Sequence, residues 1–90
     1  MSTRKRDRAS IVAAVRRVKL ETLLTLDDLA KLVSRTIPEL RAGVGPLSLK
    51  RWILEGKRGV YLDGIHTPGE GWKSSVEAVR RFVADVNATT

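Results

Sequence analysis

The 90-residue sequence has no cysteine and one histidine, His66. The first absence excludes a disulfide scaffold, a thiolate nucleophile and any cysteine-ligated zinc site. The second leaves histidine-based metal sites and Ser-His-Asp triads a single side chain to share. His66 sits among Gly and Pro, where it reads as a solvated surface residue. Aromatics are only 4% of the chain, so Trp52, Tyr61, Trp72 and Phe82 each matter to the core or to a contact. No apolar run approaches the roughly 18 residues of a membrane span. No secretory apolar stretch follows the basic start. The expectation is a soluble cytoplasmic protein, with no membrane partner, metal or cofactor.

What is present is positive charge. Seventeen Lys and Arg face ten Asp and Glu, a net of +7, and eleven of the cations are Arg. Residues 1–19 hold seven cations against Asp7, a net of +6, which leaves +1 for the remaining 71 residues. A second concentration lies at Lys50, Arg51, Lys57 and Arg58, opposed by Glu55. Arg forks onto phosphate and onto guanine edges, so a polyanionic partner, double-stranded DNA first, is the natural inference. Hydrophobic residues at 42% and charged residues at 30% are otherwise those of a globular chain. The length suits one small domain.

Periodicity divides the chain. Residues 1–8 read as a disordered basic tail. Over 9–20, Ile11, Ala14, Val15 and Val18 share one helical face, with Arg16 and Arg17 off it. The Val and Ile content of 10–15 also suits a strand. Thr25 is an N-cap candidate, with Asp27 and Asp28 in the first turn, where the helix dipole favours anions. Leu26, Leu29, Ala30 and Val33 continue this helix to Ser34 or Arg35. Pro38 then stops it and makes Ile37 extended. After a Gly- and Pro-rich loop, Ser48 is the next N-cap candidate. Leu49, Trp52 and Ile53 form the apolar face of a short helix, and Gly56 is its C-cap. Val60–Leu62 reads as a strand, residues 63–71 as turn, and Trp72 with Lys73 as the return strand. Ser74 and Glu77 form a capping box for the last helix, whose stripe is Val76, Val79, Phe82, Val83 and Val86.

Two helices followed by a hairpin make a winged helix-turn-helix if the helices pack on each other. At 100° per residue, Lys50, Arg51, Leu54 and Glu55 then face away from Leu49 and Ile53. An enzyme is hard to build from these parts. Asp27 and Asp28 point about 100° apart on a helix and make no carboxylate dyad. Residues 43–45 and 69–71 are only fragments of a phosphate-binding loop. Ser74 is accounted for by capping.

The run from Thr25 to Val86 resembles the compact winged-helix domains of MerR-type regulators and phage excisionases. The resemblance rests on Leu24, Thr25, Leu26, Asp27, Asp28, Leu29 and Ala30 as a Leu-Thr-x-x-x-hydrophobic-Ala opening. It rests also on Arg51 and Trp52 in a helix closed by Gly56, and on a Ser-capped helix from Ser74. Several small bacterial proteins of unassigned function share the same order of Arg-Trp, Lys-Arg-Gly and Leu-Asp elements. The resemblance implies a mainly α fold with a small β-hairpin over residues 22–87, preceded by the extra basic helix. It implies sequence-specific DNA binding, with Ser48, Lys50 and Arg51 in the groove and Lys57, Arg58 and Lys73 at phosphates. Arg16 and Arg17 would follow phosphates from the basic helix. The role implied is a recombination directionality or architectural factor, or a small transcriptional regulator at the nucleoid. Its further partners would be copies of itself on repeated sites, or a recombinase or polymerase. The link between the first two helices is longer than a tight helix-turn-helix turn, and Glu70 stands at the wing tip. Nothing C-terminal resembles a long dimerisation coiled coil, so a full MerR-type regulator is not expected. The alternative reading is a protein-interaction adaptor of a DNA-packaging or replication complex built on the same fold.

Overall fold

A threonine followed by two aspartates can end a strand and open a helix at once, and Thr25 does both. In the computed structural model, which describes residues 21–89, β1 (Leu24–Thr25) runs straight into α1 (Leu26–Thr36). The Thr25 hydroxyl accepts from the Asp28 amide at 3.4 Å, while Asp27 and Asp28 occupy the first turn. Leu26, Leu29, Ala30 and Val33 are the buried stripe, as their spacing predicts. The helix runs slightly past the expected Ser34 or Arg35. It stops at Ile37 (φ −110°, ψ 110°), the residue that Pro38 holds extended.

The link to the next helix is structured. A 3₁₀ turn (Pro38–Leu40) follows α1. The Ser34 hydroxyl then donates to the Ala30 carbonyl at 2.8 Å and accepts from the Val44 amide at 3.2 Å, tying the loop back to the helix. Helix α2 (Pro46–Leu54) begins two residues before the expected Ser48 cap. Gly45 is the N-cap and Pro46 the first helical residue, so Ser48 lies inside the helix and caps nothing. The reason is general: proline has no amide to lose at that position, and its φ is already helical. At the other end Gly56, at φ 78°, closes the helix as expected, its amide bonded to the Arg51 carbonyl at 3.1 Å.

The first strand of the hairpin lies five residues further along the chain than its pattern suggested, while the return strand contains Trp72 and Lys73 as expected. Residues 60–62 are not a strand. The Leu62 amide bonds the Trp52 carbonyl at 3.0 Å, which holds this segment to α2. The strands are β2 (Ile65–Thr67) and β3 (Gly71–Ser74), antiparallel, with His66 opposite Trp72. β1 pairs on the far side of β3, giving a three-stranded sheet in the order β1-β3-β2 where a two-stranded hairpin was expected. Asp63-Gly64 looks like a turn signal, but Gly64 is buried and serves close packing. A Cβ there would stand 2.6 Å from Ile53 Cδ1 and 3.2 Å from the Lys73 carbonyl oxygen.

Helix α3 (Val76–Ala88) is capped by Ser75, not Ser74. The Ser75 hydroxyl accepts from the Ala78 amide at 3.0 Å. Ser74 is the last residue of β3, and its hydroxyl donates to the Asp63 carbonyl at 2.5 Å. The period-2 pattern of the strand therefore runs one residue further than the capping box allowed. Val79, Phe82, Val83 and Val86 are buried, and Phe82 stacks on Trp52 with ring centroids 4.8 Å apart. Three helices close around one core, with Leu29, Val33, Leu49, Leu62 and Val79 wholly inaccessible. Three helices and a small antiparallel sheet in this order are compatible with a helix-turn-helix followed by a hairpin. The expected tail 1–8 and helix 9–20, with Arg16 and Arg17, lie outside the described residues.

The two serine assignments separate in a stability measurement. In urea denaturation, Ser75→Ala should cost about 1 to 2 kcal/mol for the lost cap. Ser48→Ala should stay within about 0.5 kcal/mol. Leu49→Ala, which opens a cavity between α1 and α2, should cost about 2 to 5 kcal/mol.

Candidate nucleic-acid interface

Helix α2 divides its residues sharply. Leu49 and Ile53 are buried, and Ser48 and Trp52 are half-buried on their flank. On the opposite arc stand Leu47, Lys50, Arg51 and Leu54, spaced i, i+3, i+4 and i+7 and all exposed. Lys50 and Arg51 therefore project from the core exactly as far round as the helical period requires, and this arc contains no acid; Glu55 marks its edge. Among the described residues neither cation has an ion-pair partner, Glu55 included.

Beyond Gly56 the chain reverses at once. The Lys57 amide bonds the Val60 carbonyl at 2.7 Å, and the Val60 amide returns to the Lys57 carbonyl at 2.9 Å. The two residues between them, Arg58 (φ 53°) and Gly59 (φ 81°), both have positive φ, as a type I′ turn requires. Lys57 and Arg58 are thus exposed at the C-terminal end of α2, on a turn of fixed backbone. Lys73 is placed differently. It lies in the central strand between Thr25 and Ile65, and its ammonium reaches Glu70 at 2.7 Å. The wing cation is thereby matched by the acid at the hairpin tip. His66 is exposed beside Trp72, edge to face at 5.1 Å, and Trp72 packs its remaining surface on the core. Ser48, Lys50 and Arg51 therefore lie on α2 and Lys57 and Arg58 just beyond its C-terminal end, Lys73 belongs to the sheet, and Arg16 and Arg17 fall outside the described residues.

Comparison with protein-family models, with curated proteins and with solved structures gives no match. Among the described residues no group of three His, Asp or Glu could hold a metal ion, and no helix is long and apolar enough to cross a membrane.

Sequence reasoning missed one polar cluster. Arg81 on α3 reaches Glu21 Oε2 at 2.5 Å and Asp63 Oδ2 at 3.2 Å, and Ser75 donates to Glu21 Oε1 at 2.5 Å. Arg81 falls beside the apolar stripe of α3, where it looks like an ordinary surface cation, and its partners lie 60 and 18 residues away. No local pattern could have joined them. The cluster borders a shallow groove of about 350 Å³ between Tyr61, Asp63, Arg81 and Asp85. Two carboxylates already neutralise the one guanidinium, so the groove offers no anion site.

Arg81 holds the Glu21 carboxyl below its ordinary pKa, chiefly through their hydrogen bond; burial opposes this, and Ser75 adds to it. Arg81 is raised in turn, first by its hydrogen bond to Glu21. Because the folded pKa of Glu21 lies below its unfolded value, the stability it contributes is fully present above about pH 4.3. That stability is lost as pH falls through the folded pKa. Denaturation midpoints measured from pH 7 to pH 3 should show this loss. Glu21→Gln should be less stable at pH 7 and should lack that part of the acid dependence.

Proposed function

We propose that this chain binds double-stranded DNA sequence-specifically as a winged helix-turn-helix, with α2 as the helix that enters the major groove. The observation that carries the reading is the division of α2. Leu49 and Ile53 lock it to the core while Lys50 and Arg51 stand exposed on the opposite face, with no ion-pair partner among the described residues. A helix fixed in this way presents its cations at a defined angle, which base reading demands and diffuse attraction does not. Arg51 reads a guanine edge, Lys50 contacts base or phosphate, and Ser48 lies near the point where such helices touch the groove. Lys57 and Arg58 meet phosphates. Lys73, paired with Glu70, contributes less than its position in the wing first implied. The mechanism involves no bond chemistry: phosphates are neutralised, a few base edges are read, and the DNA is bent or a partner recruited. The biological role is that of a small excisionase-like directionality or architectural factor, or a transcriptional regulator. One module of this size buries only about 600 to 1,000 Å², so copies bind side by side on repeated sites.

In-vitro selection on random duplex DNA at about 150 mM salt tests this. An enriched motif is expected, and Arg51→Ala should weaken binding to it by about 1 to 3 kcal/mol and relax one position. Selection without enrichment, or a motif unchanged by Lys50→Ala and Arg51→Ala, would leave α2 without the reading role and favour the adaptor. With about five phosphate contacts, the slope of log K against log salt should be near −4.5. Removing residues 1–8 should flatten the slope by about one or two units and leave the motif intact.

A further inference from the structure

Among the described residues three large hydrophobic side chains are exposed: Leu32 on α1 at 39%, and Leu54 at 46% and Leu47 at 77% on α2. A single exposed leucine needs no explanation. The two on α2 are not scattered. They lie on one face, seven residues apart along the helix axis, with Lys50 and Arg51 between them along the axis and to either side. At 1.5 Å per residue their backbones are separated by about 10 Å, the length of about three base-pair steps.

We propose that Leu47 and Leu54 read thymine methyl groups on either side of the base contacted by Arg51, so that α2 selects thymine-flanked sites. The proposal rests on the DNA-binding reading given above and adds to it the base composition of the site. The major-groove edge of thymine is the one that presents a methyl group, and apolar side chains recognise it by excluding water from it. A protein partner would fit this face poorly. The centres of protein–protein interfaces are depleted of charge, of lysine among others, and here Lys50 and Arg51 stand between the two leucines along the helix. The absence of any acid from the arc matches a groove lined by phosphate. Neither leucine contributes to the core, so their exposure has no counterpart in folding.

The test uses the full chain and the duplex recovered by selection. Each thymine is replaced in turn by deoxyuridine, which removes the methyl and leaves every hydrogen-bonding group in place. Losing one contacted methyl should weaken binding about fourfold, the value of one buried carbon. Leu47→Ala should abolish the sensitivity at one thymine and Leu54→Ala at another, while the guanine preference set by Arg51 persists. Both substitutions are on the surface, and urea midpoints equal to that of the parent chain will show that the fold is intact. If the motif is enriched but deoxyuridine binds as well as thymine at every position, the methyl reading is wrong and the DNA-binding reading stands. If selection yields no motif, both fall. If Leu47→Ala and Leu54→Ala leave DNA affinity unchanged but abolish self-association in sedimentation, the leucines form a protein contact and the proposal is overturned.

Discussion

One guanidinium joins parts of the chain that lie far apart in sequence. Arg81 binds Glu21, ahead of β1, and Asp63 in the segment entering the sheet. Ser75 fastens Glu21 to the start of α3, and Ser74 fastens the Asp63 backbone to the end of β3. Four separate stretches thus meet at one set of charge-assisted bonds. Such a cluster is worth more for the geometry it selects than for net stability, because desolvating the charges offsets much of their attraction. What it selects is the path of residues 62–64, which places Gly64 against Ile53. If that path slipped, α2 would lose the surface on which its C-terminal half rests. The orientation of the exposed cations therefore depends on a cluster that contributes none of them.

The charge of the molecule is distributed in an instructive way. Residues 1–19 hold nearly all of the excess, and the remainder is almost neutral. Within that remainder, five of the nine acids have structural work: Asp27 and Asp28 at the start of α1, Glu21 and Asp63 on Arg81, and Glu70 on Lys73. Lys50 and Arg51 have no such obligation. In the proposed DNA-binding reading, long-range attraction and local readout fall to different parts of the sequence. The first is sensitive to salt, and the second depends on where α2 is fixed.

The helices were legible in the sequence because each buries a stripe of period 3.6. Leu26 to Val33 and Val79 to Val86 were read correctly, and so was the glycine that closes α2. Errors arose where one residue type serves two purposes. Pro46 has loop composition and is the first helical residue; Ser74 has the spacing of a cap and is a strand residue with a serine after it that caps. Asp63-Gly64 has turn composition, yet the glycine is there because Ile53 leaves no room for a side chain. β1 has two residues, too few for any periodicity to register. The exposed face of α2 was legible except for Leu47, which the late placement of the helix start had left outside the helix. The Arg81 cluster was illegible in principle, since it depends on contacts between residues far apart in the chain.

Arg58 occupies a position at which glycine or asparagine suits the backbone better. Holding an arginine there costs about 1 to 2 kcal/mol of conformational energy. In return, the two-residue reversal fixes the Cα of a cation next to α2, so that under the proposed reading no loop has to be ordered on binding. The turn is thus a place where thermodynamic stability and charge favour different residues. A sequence selected for stability alone would move toward Gly-Gly here, and one selected for a positive surface would not.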